Sequence, residues 1–112
     1  MPVQTVCCDV DFTLIDANND LYPDVAKALA YMKHTLGYTM ICWSHGGGRH
    51  AKDVCRKHDI MQYFDLFLDK PDIIIDDDPG FILTYPKIMK ATPTWGKTFM
   101  KDLFNKSKTK HK

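Results

Sequence analysis

Four short apolar runs follow one another along the chain, and each ends in polar or acidic residues. Residues 3–8 are a β-prone run that stops at an acidic segment, and residues 38–43 and 63–68 repeat this pattern. Residues 73–75 are wholly apolar and lead directly into three aspartates. We therefore predict four strands, with a further edge strand over residues 81–85.

Apolar residues at helical spacing occupy the segments between these runs. A proline at residue 23 opens the first predicted helix, and Gly37 ends it. A second helix is predicted over residues 50–58, and a third begins at Thr94. The inward-facing residues are Val25, Leu29, Met32 and Leu36 in the first helix, Val54 and Cys55 in the second, and Phe99, Leu103 and Phe104 in the third.

This alternation of strands and helices predicts an α/β fold with three layers. The sheet is expected to be open, mainly parallel and Rossmann-like, with right-handed crossovers. A chain of 112 residues fits one domain, which we assign to residues 1–105. Residues 106–112 are rich in lysine and are predicted to be a disordered basic tail.

The formal charge of +1 conceals an uneven distribution of charge. Residues 1–85 carry 7 Lys and Arg against 13 Asp, whereas residues 86–112 carry 8 Lys against 1 Asp. The acidic body favours a cation site. The basic end favours an anionic partner such as nucleic acid, and a solvated terminus is the simpler alternative.

The composition argues against a membrane protein and against a secreted disulfide framework. No apolar run approaches the ~20 residues that span a bilayer, and the first residues lack the order of a signal peptide. We therefore expect a cytoplasmic protein with no membrane partner and with reduced cysteines. A zinc set is the alternative for Cys42, His45, His50 and Cys55, but their spacing matches no standard finger or ribbon.

Chemically active side chains cluster where the predicted strands end. Because the carboxyl ends of parallel strands share one edge of a sheet, these clusters should meet. Crowded carboxylates repel one another unless a cation neutralises them, and Mg²⁺ suits oxygen ligands. A bound phosphate held by a hydroxyl and a lysine would leave an aspartate free to attack phosphorus. The clusters are Asp9, Asp11 and Thr13, then Ser44, then Lys70, then Asp76, Asp77 and Asp78.

The glycine run at residues 46–48 precedes the second helix. Its backbone N–H groups would suit an anion, with Arg49 alongside, although a flexible turn explains the run equally well. His50 and His58 are interpreted as surface or helix-end residues, as is His45, which nevertheless adjoins the site in sequence. The candidate phosphate-binding residues here are His45, Gly46 and Arg49.

Four motifs together resemble those of the haloacid dehalogenase-like (HAD) hydrolases. VCCDVDFTLID is similar to the family's first motif, an apolar strand followed by Asp-x-Asp-x-Thr. YTMICWS resembles the second, a strand ending in Ser or Thr, and LDKPD the third, a lysine often followed by proline. IIIDDDP resembles the fourth in the paired-acid form of the family's small phosphatases and nucleotidases. The four stand in the family's order within residues 3–79, so the joint match is specific although each part is weak.

The resemblance implies a phosphatase that works through a phosphoaspartate. Asp9 would be the nucleophile, and Asp11 would protonate the leaving group and then activate water. Thr13 and Ser44 would bind the phosphate or the nucleophile. Lys70 would offset the charge of the phosphoaspartate.

The resemblance also implies a Mg²⁺ site. Asp9, the backbone carbonyl of Asp11 and Asp77 would be the ligands, with Asp76 in support. The residues alone leave open which of the three consecutive aspartates binds the metal. Any one of these residues by itself has a simple structural alternative, because aspartate and serine often cap helices or begin turns.

The segments between the motifs leave no room for the larger cap domains of the family. We therefore expect an open site that accepts a macromolecule or is covered by another subunit of a homo-oligomer. The candidate substrates are a nucleotide, a phosphorylated nucleic-acid end, a phosphosugar and a phosphoprotein.

Two functions without turnover are the alternatives. A phosphoacceptor signalling domain has a similar acidic pocket, but its lysine follows every acid, whereas Lys70 precedes Asp76. A phosphate-binding interaction module with the same fold is the second alternative. The presence of both Asp9 and Asp11 argues against it.

Overall fold

A computed structural model describes residues 4–78 and 89–109, with side chains as far as Asn105. This part of the chain is a small α/β domain with a three-stranded parallel sheet and three helices. The prediction of an α/β fold with parallel strands is confirmed at this level. The strands are β1 (Thr5–Cys8), β2 (Thr39–Ser44) and β3 (Leu66–Asp69), and the helices are α1 (Val25–Ala30), α2 (Gly48–Lys57) and α3 (Trp95–Thr109).

The sheet has the order β1-β2-β3, so β2 is its central strand. Cys8 at the end of β1 is level with Cys42, and Ser44 at the end of β2 is level with Asp69 at the end of β3. All three strands run in the same direction. Their carboxyl ends therefore lie side by side at one edge.

The core is built around β2 and the helices that cover it. Met40 and Cys42 of β2 are buried, as are Ala51 and Cys55, which lie one turn apart on α2. This spacing places both α2 residues on one face of the helix, which packs on β2 and β3. α1 packs against α3. The other fully buried apolar residues are Val10, Leu14, Ile15, Val25, Ala28, Leu29 and Ile60.

Residues 73–75 do not form the predicted fourth strand. They are irregular in the structure, and Ile73, Ile74 and Ile75 are 79%, 50% and 94% exposed. An apolar run favours burial, but three residues neither specify a pairing register nor form a long ladder of hydrogen bonds. The prediction of a strand here is therefore wrong for this structure.

Several element boundaries also differ from the prediction. The first helix continues beyond α1 as a π-helical segment, Tyr31–Thr35, and a 3₁₀ turn, Met61–Tyr63, precedes β3. α3 extends to Thr109, so residues 106–109 are helical where a disordered tail was predicted. The predicted edge strand at residues 81–85 and the last residues of the tail lie outside the described residues.

No helix within the described ranges is long and apolar enough to cross a membrane.

Candidate active site

The loop after β1 forms a tight turn that carries Asp9 and Asp11. The carbonyl of Val10 accepts hydrogen bonds from the N–H groups of Thr13 at 3.2 Å and Leu14 at 2.8 Å. Val10 and Leu14 are fully buried, which anchors both ends of this turn in the core. Phe12 between them has a φ of 60° and is 65% exposed. A bulky residue in the left-handed region is strained, and such strain is concentrated at functional sites.

Helix α3 fixes the same loop from the other side. The indole N–H of Trp95 donates a hydrogen bond of 2.6 Å to the carbonyl of Thr13. The N–H of Phe12 donates to the carbonyl of Ile15 at 2.8 Å, and Ile15 is buried. The backbone around the two aspartates is therefore held by the core and by α3.

Ser44 links the ends of β2 and β3. Its side chain is 1% exposed, and its hydroxyl oxygen accepts a hydrogen bond from the N–H of Gly46 at 3.0 Å. Its carbonyl accepts hydrogen bonds from the N–H groups of Gly47 at 3.0 Å and Lys70 at 2.9 Å. The ends of the three strands thus place Asp9, Ser44 and Lys70 along one edge of the sheet.

The N–H groups of the glycine run are used within the protein. The N–H of Gly46 bonds to the Ser44 hydroxyl, and that of Gly47 to the Ser44 carbonyl. The N–H of Gly48 donates to Oδ1 of Asp69 at 2.6 Å. These contacts support the alternative interpretation of the glycine run, in which it forms a turn. The predicted phosphate contact of Gly46 stays a prediction.

Two of these glycines are required by the backbone itself. Gly47 has a φ of 103°, a conformation that side chains rarely adopt. A Cβ on Gly48 would lie 2.9 Å from the carbonyl oxygen of Phe67 in β3. The run therefore allows α2 to begin close against β3. His45 and Arg49, both predicted to bind phosphate, are exposed beside it.

His50 contacts Asp11, which sequence reasoning did not anticipate. Its Nε2 lies 3.3 Å from Oδ2 and 3.5 Å from Oδ1 of the Asp11 carboxylate. A Cβ on Gly46 would lie 3.1 Å from Cδ2 of His50, so the glycine leaves room for the imidazole. The sequence feature that could have predicted this contact is the position of His50 in the first turn of the helix that follows β2.

Asp69 is a second residue that the sequence analysis missed. It ends β3, and its carboxylate holds the N–H of Gly48 at the start of α2. The signal for this role was its position as the last strand residue, directly before Lys70.

The aspartates at residues 76–78 are exposed and belong to no helix or strand. The N–H of Asp78 donates to Oδ1 of Asp76 at 2.8 Å, which is a local turn contact. Across residues 4–78 and 89–109, no group of three or more His, Cys, Asp or Glu side chains could hold a metal ion. The predicted Mg²⁺ ligands are two carboxylates, those of Asp9 and Asp77, and the backbone carbonyl of Asp11, so this ligand set stays a prediction.

The cysteines of the alternative zinc set lie in the core. The sulfurs of Cys42 and Cys55 are 3.9 Å apart, and both residues are fully buried. The hydrogen bond with Cys55 and burial raise the pKa of the Cys42 thiol above its ordinary value. Burial also raises the pKa of Cys8. Neutral thiols of this kind behave as small apolar side chains, so these cysteines contribute to packing.

No protein-family model matches the chain, and no curated protein matches it either. The fold and the site's geometry therefore define the class: an α/β domain with aspartate, serine and lysine at the carboxyl edge of a parallel sheet.

Proposed function

We propose that the protein is a Mg²⁺-dependent phosphomonoester hydrolase that acts through a phosphoaspartate on Asp9. One observation supports this most strongly: Asp9, Ser44 and Lys70 stand at the carboxyl ends of three neighbouring parallel strands, at the same edge of the sheet. An acid, a buried hydroxyl and a cation at one edge can hold a phosphate dianion beside a nucleophile.

The proposed reaction has two steps, and Asp11 transfers the proton in both. A carboxylate oxygen of Asp9 attacks phosphorus while the bond from phosphorus to the leaving oxygen breaks. Asp11 gives its proton to that oxygen and so releases an alcohol. Asp11 then takes a proton from water, whose oxygen attacks phosphorus and frees phosphate and Asp9.

The remaining residues of the proposal bind the phosphate. Thr13 shares the strained loop with the two aspartates, and its backbone is held by Trp95. The backbone N–H of Lys70 donates to the Ser44 carbonyl, and the Lys70 side chain would supply positive charge to the phosphate. The other candidate phosphate contacts are His45, Gly46 and Arg49.

The Mg²⁺ requirement rests on the motif resemblance and on the number of acids in the strand-end segments. Asp77, with Asp76 in support, is the proposed third ligand beside Asp9 and Asp11. We also propose that the fold is a three-layer Rossmann-like sheet without a large cap domain. The same proposal includes a cytoplasmic location and a homo-oligomer that covers the open site.

The test is hydrolysis of an aryl phosphate with and without Mg²⁺. We expect phosphate release that depends on Mg²⁺ in the wild-type protein. We also expect a phosphorylated peptide containing Asp9 after rapid acid quenching, identified by mass spectrometry. Asp102→Asn, which removes an exposed carboxylate on α3, is the matched control and should keep both signals.

The same assay separates the enzyme from the two alternatives. A signalling domain would form the phosphoaspartate without continuous release of phosphate, and a binding module would give neither signal. Absence of turnover across aryl phosphates, nucleotides, phosphosugars and phosphorylated oligonucleotides in the presence of Mg²⁺ would reject the proposed function.

A further inference from the structure

The contact between His50 and Asp11 joins the start of α2 to the loop after β1. The Nε2 of His50 lies 3.3 Å from Oδ2 and 3.5 Å from Oδ1 of the carboxyl group. Both distances are at the long end for a hydrogen bond, and contacts of catalytic groups often tighten once substrate binds. A carboxyl group has two oxygens, so one can accept from His50 while the other carries the proton that Asp11 transfers.

The position of His50 is set by the start of α2. The N–H of Gly48 donates to the carboxylate of Asp69 at 2.6 Å, and Ala51, the residue after His50, is fully buried. On the other side, a Cβ on Gly46 would lie 3.1 Å from Cδ2 of His50. The helix start therefore holds the imidazole beside the turn that follows β2, and the glycine leaves the space that the ring occupies.

Asp11 differs from its own backbone in how firmly it is held. The turn around it is anchored by the buried residues Val10 and Leu14, but the Asp11 side chain is 51% exposed. Among the residues that the structure describes, His50 alone forms a hydrogen bond or ion pair with this carboxyl group. Contacts between exposed charged groups add little to stability. The consequence of this contact is therefore the orientation of the Asp11 side chain.

We propose that His50 is a positioning residue, which holds the Asp11 carboxyl group in one orientation for proton transfer to the leaving oxygen. The inference rests on the proposed hydrolase function. The proton moves from Asp11 to the leaving oxygen as the bond from phosphorus breaks, and His50 keeps its own Nε2 proton throughout. Orientation matters because a displacement of about 1 Å in a reacting group can cost about 100-fold in rate.

The test compares two phosphate esters whose leaving groups are similar in size. The benzyl alkoxide of benzyl phosphate is strongly basic and needs a proton as it leaves, whereas the phenolate of para-nitrophenyl phosphate leaves without one. We would measure the rate of phosphoaspartate formation in single turnovers with acid quenching. His50→Leu should slow this step about 10- to 100-fold for benzyl phosphate and less than about threefold for para-nitrophenyl phosphate.

Two further variants separate positioning from a structural role. His50→Gln places an amide N–H near the position of Nε2 and should recover most of the rate with benzyl phosphate. Lys52→Leu, at an exposed residue of the same helix, is the matched control and should change neither rate. Equal slowing of both substrates in His50→Leu, no slowing of either, or no recovery in His50→Gln overturns the inference while leaving the hydrolase intact.

The orientation of Asp11 can also be measured without turnover. The NMR couplings between the α and β protons of Asp11 report whether its side chain keeps one rotamer. We expect one rotamer in the wild-type protein and in His50→Gln, and averaged couplings in His50→Leu. This result supports the positioning of Asp11 even when no ester is hydrolysed and the proposed function has failed. Averaged couplings in the wild-type protein, or an unchanged single rotamer in His50→Leu, overturn the inference.

Discussion

Two acidic segments of this protein follow apolar runs, yet the structure holds them differently. The segment after β1 is tied down by buried residues, because Val10 and Leu14 are inaccessible to solvent on either side of Asp11. The segment after residues 73–75 has an apolar run that is itself exposed, with Ile75 at 94%. An apolar run positions the acids that follow it only when its backbone pairs with a neighbouring strand and its side chains pack in the core.

The neighbouring strand explains the difference. Residues of β1 pair along their whole length with the central strand β2, so the position of Asp9 is set by a ladder of hydrogen bonds. Within the described residues, the sheet ends at β1 on one side and β3 on the other, and residues 73–75 join neither. The comparison therefore separates the loop that carries Asp9 and Asp11, here called the built half of the proposed site, from the exposed acidic segment of residues 76–78.

The largest effect is expected from Asp9→Asn, which should remove turnover and the phosphoaspartate while leaving the fold intact. A carboxamide is a poor nucleophile, and Asp9 lies on the built half of the site. Asp77→Asn should also lower turnover, with recovery at raised Mg²⁺, if the acidic segment takes part. Steady-state phosphate release against Mg²⁺ concentration measures both. Wild-type kinetics in Asp77→Asn would restrict the site to the built half.

A smaller loss is expected from Asp11→Asn. The side chain supplies general acid and base catalysis worth about 10²–10⁴-fold, so both chemical steps should slow by that range. Phosphate binding should persist, since Ser44 and Lys70 are unchanged. Single-turnover rates and phosphate affinity check the two parts separately. A wild-type rate would assign the proton transfer to another residue, and His50, whose Nε2 lies 3.3 Å from the Asp11 carboxylate, is a candidate.

The third prediction compares the stability of the two regions. Gly48→Ala should lower the free energy of unfolding by about 1–3 kcal/mol, because its Cβ would lie 2.9 Å from the carbonyl oxygen of Phe67. Ile75→Ser should change it by less than about 0.5 kcal/mol, since that side chain is exposed. Urea unfolding followed by circular dichroism measures both. A loss in Ile75→Ser as large as that in Gly48→Ala would mean that residues 73–75 pack in solution.

The smallest effect concerns Asp65, an acid that is fixed by contacts although it is partly exposed. Its hydrogen bond from Lys33, and then that from the N–H of Met40 at 2.8 Å, hold the pKa of Asp65 below its ordinary value. A lowered carboxyl pKa stabilises the folded state above the unfolded-state pKa of about 4, and this contribution is lost as pH falls through the folded-state pKa.

Asp65→Asn should therefore lower stability slightly at pH 7, by less than about 1 kcal/mol after screening by solvent. The difference from the wild-type protein should shrink toward pH 3, where the wild-type carboxylate is losing its charge. Urea unfolding at the two pH values measures the change. Asp72→Asn, at an exposed aspartate outside the sheet, is the control and should show a smaller dependence on pH.

Much of the built half could be predicted from the sequence, because it depends on local patterns. Apolar runs and helical spacing are properties of short segments, and these patterns predicted β1, β2, β3 and the three helices to within a few residues. Parallel strands place their carboxyl ends together by topology alone. The common edge of Asp9, Ser44 and Lys70 followed from that rule before any contact was known.

The remaining features depend on contacts between residues far apart in the chain. The contact between His50 and Asp11 joins residues 39 positions apart in the sequence, and the hydrogen bond from Gly48 to Asp69 joins residues 21 positions apart. Neither is encoded in a local pattern, because each depends on how closely α2 approaches two strand ends. Residues 73–75 are a similar case, because their apolar side chains favour burial but do not specify which strand or helix they would pack against. Local sequence therefore determined the elements and their shared edge, and the tertiary structure decided which side chains meet there, since packing sets distances that no short segment contains.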